Sequence, residues 1–173
     1  FLGGDVVSCT WVPNDGYEDG PAITMTQTIG NSTPSIDGVE ITPDPATAAE
    51  TLTCGYWGYS DDDGDPDLSQ IQWLVNGSVQ SETGSTLSGR FSAGDSVTCR
   101  VTPYDGTQED TTRSDSVAVV NAEPEIMSVF FTPSIVFTDS VLQVNANGFD
   151  ADGDLISYHY AWTVDGVPVG GDE

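Results

Sequence analysis

The 173-residue sequence contains no lysine, and its only arginines are Arg90, Arg100 and Arg113. Against these stand 28 acidic residues, which give a formal net charge of −25 at pH 7. A surface this negative repels nucleic acid and anionic membranes and favours the binding of cations. The longest apolar runs also fall far short of the roughly 20 residues that a membrane-spanning helix needs.

Motifs of catalysis are missing as well. The sequence has no Gly-x-Ser-x-Gly elbow and no base beside a nucleophile. Its single histidine, His159, stands without a second histidine or a cysteine cluster, which argues against a zinc site. The aspartates gather in one turn, whereas a glycosidase needs two opposed carboxyl groups. These absences predict a protein that is not an enzyme.

The sequence does contain a repeat, with a step of 90 residues from Cys9 to Cys99. Residues 1–9 match 91–99, and 34–43 match 124–133 at the proline and branched apolar positions. With one residue deleted, the acidic run and the tryptophan that follows it also recur, the latter as Trp73 and Trp162. Such a repeat is diagnostic of serially arranged structural units.

The repeat divides the chain into three predicted segments. Residues 31–120 are expected to form one complete unit, residues 1–30 the C-terminal part of a preceding unit, and residues 121–173 the N-terminal part of a following one. A half unit alone would leave an apolar face and open strand edges, so each needs a complement. Two routes remain open: a longer chain of tandem units, or separate subunits that complete each other head to tail.

Strand signals dominate every segment, since apolar residues alternate with polar ones and Asp-Gly or Asn-Gly turns separate the runs. No helical stripe is longer than one turn. In the complete unit the strands are predicted at about 35–42, 50–56, 70–75, within 78–91, 96–102 and 114–120. Short strands at this spacing indicate an all-β sandwich.

The order Cys54, Trp73, Cys99 resembles the cysteine–tryptophan–cysteine signature of the immunoglobulin superfamily. With the acidic loop and the run Val-Thr-Pro-Tyr-Asp-Gly at 101–106, the chain is similar to tandem bacterial Ig-like, PKD-like and cadherin-like repeats of extracellular surface or filament proteins. The resemblance implies tandem Ig-like β-sandwich repeats of about 90 residues. The third segment departs from it, because Gln143 or Val144 stands where Cys54 would be.

The resemblance also implies a disulfide between Cys54 and Cys99, which would indicate an oxidising compartment. The alternative is a pair of buried, reduced thiols. Cys9 is the equivalent of Cys99 in the preceding unit, and we expect it to be unpaired or separated from its partner.

The strongest chemical signal is the acidic run at 61–67, whose core recurs at 150–154. Carboxylates at alternate positions around a glycine turn can converge on one hard cation. The F–G loop lies at the same end of such a sandwich and adds a further carboxylate. We therefore hypothesise Ca²⁺ binding, with a solvated acidic loop as the alternative. The candidate ligands are Asp61, Asp63, Asp65, Asp67, Asp105, Asp150, Asp152 and Asp154.

Two N-glycosylation sequons begin at Asn31 and Asn76, although such triplets are frequent by chance. Trp73 and Trp162 are interpreted as core residues, whereas Trp11 and Trp57 are left open.

Together these patterns predict a structural repeat unit of a secreted, calcium-stabilised extracellular filament or cell-surface stalk. Its partners would be copies of itself or adjacent repeats in a head-to-tail polymer. The alternative is an adhesin or a carbohydrate-binding accessory module of a secreted protein, in which Trp11 or Trp57 would contact sugar.

Overall fold

The structure is a computed structural model that describes residues 1–171, so the last two residues of the predicted third segment lie outside it. The described chain is all-β, and it holds no helix with the length and apolarity needed to cross a bilayer. The strands are β1 (Val6–Trp11), β2 (Ile23–Thr28), β3 (Gly38–Thr42), β4 (Ala46–Thr47), β5 (Leu52–Trp57), β6 (Gln70–Val75), β7 (Ser78–Val79), β8 (Thr86–Leu87), β9 (Ser96–Thr102), β10 (Arg113–Val120), β11 (Glu125–Thr132), β12 (Gln143–Phe149), β13 (Ala161–Val164) and β14 (Val167–Gly171).

Two sheets form the middle of the chain. One has five strands in the order β4-β10-β9-β6-β7, and the other has three in the order β3-β5-β8. All their pairings are antiparallel except that of β4 with β10, which is parallel. The strands predicted at 50–56, 70–75, 96–102 and 114–120 match β5, β6, β9 and β10 closely. The short strand β4 was not foreseen, because its two residues carry no periodic signal.

The apolar core lies between these two sheets. Alternate residues of β9 are buried, namely Val97, Cys99 and Val101, as expected for a strand with one covered face. Trp73 at the centre of β6 is fully buried, and its indole N–H donates to the carbonyl of Gly84 at 2.8 Å. A buried indole needs such a partner, because an unpaired donor in the core is costly. This two-layer arrangement is compatible with a β-sandwich.

A disulfide joins Cys54 on β5 to Cys99 on β9, so it ties one sheet to the other. The two Cα atoms are 6.1 Å apart. Cys9, in contrast, is an exposed free cysteine on β1.

The hairpin β1–β2 repeats the register of β9–β10. Val7 pairs with Gln27 as Val97 pairs with Val117, and all six residue pairs of the hairpin have counterparts 90 residues later. The flanking bonds also correspond, since Gly4 N donates to Ile29 O at 3.0 Å and Gly94 N to Val119 O at 2.8 Å.

The strands after residue 120 repeat the middle of the chain in the same way. Phe131 pairs with Val144 as Ile41 pairs with Cys54, so Val144 rather than Gln143 occupies the cysteine position. The turn of the hairpin β13–β14 also agrees with that of β6–β7. Asp165 and Asn76 both have a φ of 49°, and each precedes a glycine. Left-handed residues of this kind are what a two-residue β-hairpin demands.

We expect the double variant Cys54→Ser/Cys99→Ser to lose about 4 kcal/mol of unfolding free energy, because the bridge closes a 45-residue loop in the unfolded chain. Urea denaturation followed by tryptophan fluorescence measures the loss. Cys9→Ser is the matched control, since that thiol is exposed and free. Equal stability of the double variant and the control would contradict the structural role of the bridge.

Candidate metal centre

The first acidic loop lies between β5 and β6 and winds around one carboxylate. Asp61 Oδ1 accepts hydrogen bonds from the backbone N–H of Asp63 at 2.8 Å and of Asp65 at 3.3 Å. Gly64 N donates to Asp61 O at 3.2 Å, and the φ of +78° at Gly64 is one that glycine adopts without strain. The turn thereby directs three carboxylates inward, and one oxygen from each of Asp61, Asp63 and Asp65 lies within 4.8 Å of the others.

Backbone groups from outside the loop hold the middle carboxylate of this group. Gly3 N donates to Asp63 Oδ1 at 2.6 Å, and Ser32 N donates to Asp63 Oδ2. These donors favour the charged form, and the bond from Ser32 is the main cause that lowers the pKa of Asp63. Asp63 therefore joins three parts of the chain: the acidic loop, the segment before β1 and the segment before β3.

Asp105, in the loop between β9 and β10, is only 4% exposed. Its Oδ1 accepts from the backbone N–H of Thr107 and of Gln108, the latter at 2.6 Å. Its Oδ2 accepts from Asn31 Nδ2 at 2.8 Å. Led by the bond from Gln108, these donors lower the pKa of Asp105, so the side chain is a buried anion.

Asp65 has the opposite electrostatic environment. Partial burial raises its pKa, and the negative charges of Asp61 and Asp105 raise it further. Tyr59, which lies beside the group, has a raised pKa as well, first through burial and then through the charge of Asp61. The carboxylates thus repel one another, and a bound cation would relieve this repulsion.

The protein supplies no cation of its own here. The ion pair found among residues 1–171 joins Arg90 to Glu82, outside this group. Asp61 Oδ2 is buried and has no hydrogen-bond partner, which leaves an acceptor oxygen inside an anionic group. Because Ca²⁺ binds oxygens at 2.3–2.6 Å, one ion can contact oxygens that lie up to about 5 Å apart. The donor set and its spacing could therefore hold a metal ion.

The second acidic loop, between β12 and β13, repeats the internal hydrogen bonds of the first and its bond from the preceding linker. Asp150 Oδ1 accepts from Asp152 N at 2.9 Å and from Asp154 N at 3.2 Å. Asp152 Oδ2 accepts from Ala122 N at 2.6 Å, as Asp63 does from Ser32. One oxygen from each of these three aspartates again lies within 4.8 Å of the others, and Asp152 Oδ1 is buried without a partner.

Asp67 lies apart from the first group. Its Oδ2 accepts from the Tyr56 hydroxyl at 3.1 Å and its Oδ1 from Ser69 N at 2.9 Å. The structure thus brings Asp61, Asp63 and Asp65 together and gives Asp67 other partners. Asp105 lies close enough to act on the pKa of Asp63 and Asp65, although it is not one of the three converging residues.

Both sequon asparagines use their side-chain amides within the protein. Asn31 Nδ2 donates to Ser32 O at 2.6 Å as well as to Asp105. Asn76 Nδ2 donates to Asp95 Oδ1 at 2.7 Å, while its Oδ1 accepts from Ser96 N at 3.0 Å. The geometry thus gives both amides a structural role, that of Asn31 in the linker before β3 and that of Asn76 in a turn.

Two contributors to the site were not identified from sequence. Gly3 and Ser32 donate backbone N–H groups to Asp63, and a Cβ atom at Gly3 would lie 2.9 Å from Asp63 Oδ2, so the close approach favours glycine there. Neither contact leaves a sequence motif. Asn31 is predicted above as a sequon residue, and its recurrence as Asn121 is the sequence signal that points to a fixed role.

Comparison with known proteins adds no relative: no family model, no curated protein and no solved structure matches this chain. The function is therefore inferred from the geometry of the chain itself.

In the absence of divalent ions, we expect the melting temperature to fall as the pH drops below about 4. Asp63 and Asp105 have lowered pKa values in the folded state, so their stabilisation is complete above the unfolded pKa and is lost as pH falls through the folded one. Scanning calorimetry between pH 2 and 7 measures this. Asp63→Asn should flatten the profile, whereas Asp62→Asn, on the exposed side of the loop, should leave it unchanged.

Proposed function

We propose that this chain is a structural repeat segment of a calcium-stabilised, extracellular filament or cell-surface stalk. The observation that carries the proposal is the acidic junction, where Asp63 accepts hydrogen bonds from Gly3 in the preceding segment and from Ser32, and Asp105 accepts one from Asn31. A cation held there would stiffen the connection between successive units.

The immunoglobulin-like interpretation is part of this proposal. It is supported by the two sheets around Trp73, by the disulfide between Cys54 and Cys99, and by the shared registers of the strand pairs 90 residues apart. We interpret residues 31–120 as a complete unit, residues 1–30 as the last two strands of a unit, and residues 121–173 as the first strands of another.

Calcium is the ion that the acidic loops favour. Both loops offer several carboxylate oxygens on one turn, and such many-oxygen sites suit Ca²⁺ better than Mg²⁺, which demands near-ideal octahedral geometry. Asp61, Asp63 and Asp65 would hold one ion, with Asp105 nearby, and Asp150, Asp152 and Asp154 would hold a second. The bound ion would supply the positive charge that the chain lacks at this place.

Calcium at 10 mM should raise the melting temperature by about 5 °C or more, because extracellular modules bind Ca²⁺ with dissociation constants of about 0.1–1 mM. Calorimetry with calcium and with excess chelator measures the shift. Asp61→Asn should reduce the shift, and Asp61→Asn/Asp150→Asn should abolish it, while the exposed neighbour variant Asp62→Asn should keep it. Identical melting of the wild type with and without chelator would refute the calcium site.

The extracellular assignment rests on two features. The disulfide between Cys54 and Cys99 is typical of an oxidising compartment, and extracellular calcium lies in the millimolar range that weak sites of this kind require. Antibodies raised against residues 31–120 should therefore label the surface of intact producing cells or the filaments attached to them. Labelling that needs permeabilised cells would contradict the assignment, with a known intracellular protein as the control.

An adhesin or carbohydrate-binding module is the second candidate function, and exposed tryptophans favour it. Trp57 is 51% exposed and Trp11 is 53% exposed. The Trp57 ring, however, lies against the backbone of Gly38, where a Cβ atom would clash with it. That contact accounts for Trp57 within the fold. Binding of the wild type to a sugar on a glycan array, with loss of that binding in the Trp57→Ala variant, would support this alternative.

A further inference from the structure

The hairpin β1–β2 carries a continuous apolar face that nothing in residues 1–171 covers. Val7, Cys9 and Trp11 occupy the positions of the buried Val97, Cys99 and Val101 in β9. Cys9 and Trp11 are nevertheless exposed, and Val7 is only partly buried. Ile23 and Met25 on β2 lie opposite them and are 66% and 64% exposed.

A second uncovered face lies on the strands after residue 120. Phe131 and Trp162 take the places of the buried Ile41 and Trp73, and their rings contact each other with centroids 5.8 Å apart. Phe131 is 52% exposed. A largely apolar cleft opens beside them and is lined by Ile126, Val129, Val144, Ala146, Tyr158, His159 and Tyr160.

The middle of the chain contains the same two surfaces already joined. There β9 pairs with β6, β10 contacts β3, and Trp73, Cys99 and Ile41 are buried in one core. In the described part of the chain β1 pairs only with β2, and β13 only with β14, so each has one open edge.

The geometry points to a second copy of this chain as the occupant: the β1–β2 hairpin of one molecule docks on the face of β11–β13 of the next. This inference rests on the proposed function, and it names the surfaces by which that assembly proceeds. Because the two surfaces differ, the contact is heterologous and can propagate head to tail without closing.

The middle unit predicts the register of this contact. Trp73 pairs with Cys99 and Val75 with Val97, so Trp162 should pair with Cys9 and Val164 with Val7 of the other copy. Antiparallel strand addition of this kind supplies main-chain hydrogen bonds to both open edges. It also places Trp11 beside Tyr160, where the middle unit has Val101 beside Ile71.

The apolar surface is large enough for a specific contact. About a dozen half-exposed apolar side chains on the two faces amount to on the order of 1,000 Å², which approaches the size of a standard interface. The inward positions Val7, Cys9 and Trp11 carry no charge, and neither do Phe131 and Val144 opposite them. The repulsion between two acidic chains therefore acts mainly outside the contact and is screened at 0.15 M salt.

Val144 offers a direct chemical test of the register. It occupies the position of Cys54, and Cys9 that of Cys99, whose Cα atoms are 6.1 Å apart in the disulfide. Docking therefore brings Cys9 of one copy next to Val144 of another, at the spacing of a disulfide. Wild type, whose free thiol is Cys9, is mixed with a larger, tagged double variant Cys9→Ser/Val144→Cys. Diamide accepts the two electrons and two protons when the thiols join.

We expect a mixed dimer on non-reducing gels as the main crosslinked product, in at least tenfold excess over that from the control Cys9→Ser/Gln143→Cys. Gln143 is the neighbour of Val144 on the same strand, and its side chain points to the opposite face. Equal crosslinking of the two variants overturns the proposal. The single variant Val144→Cys carries both thiols in one molecule. If its new cysteine crosslinks to Cys9 of the same molecule and the protein stays monomeric, the proposal is also overturned.

A second measurement does not depend on an introduced cysteine. Sedimentation velocity of the wild type in 0.15 M salt should show association that rises with concentration. Trp11→Glu should weaken it at least tenfold, whereas Thr10→Glu, on the other face of β1, should leave it close to that of the wild type. A wild type that stays monomeric at 1 mM overturns the proposal.

The outcomes separate this inference from the proposed function. A calcium-dependent melting shift without mixed dimers refutes the docking of a second copy and leaves the calcium-stabilised repeat standing. Mixed dimers without a calcium-dependent melting shift support the docking surfaces and refute the proposed calcium site.

Discussion

An amphipathic sheet is stable only when a second layer covers its apolar face, and the rest of this structure follows from that requirement. In residues 31–120 the requirement is met, because the inward residues of β9 and β6, Trp73 among them, pack in one core with those of β3 and β5 and a disulfide ties the layers together. At both ends of the chain the same alternation leaves apolar side chains on the surface. The alternation of apolar and polar residues is the same in all three segments, and they differ only in whether a second layer covers the apolar face.

Charge imposes the second constraint. With no lysine and three arginines, the chain has few side chains that could neutralise converging carboxylates. It uses backbone N–H groups instead, as at Asp63 and Asp105, and leaves buried oxygens of Asp61 and Asp152 without a partner. Backbone donors stabilise an anion but do not cancel its charge, so the acidic loops are suited to a cation from solution.

The two constraints meet at the junctions between segments. The first acidic loop binds the backbone before β1 and before β3, and the second binds the backbone at Ala122. A loop that emerges from the packed sheets thus holds the neighbouring segment in place. In the proposed assembly, apolar faces would complete each unit, and the acidic loops would set how one unit follows the next.

The sequence alone determined what depends on neighbours along the chain. Alternation predicted β6 and β9, and Asn76-Gly77 predicted the hairpin after β6, since side-chain direction and turn chemistry are local. The convergence of Asp61, Asp63 and Asp65 is local too. Only the tertiary structure decided that Asn31 holds Asp105, 74 residues away, and that Tyr56 engages Asp67. Such contacts arise when separate loops meet at one end of two packed sheets. The spacing of residues along the chain does not encode which side chains of those loops come within hydrogen-bond distance.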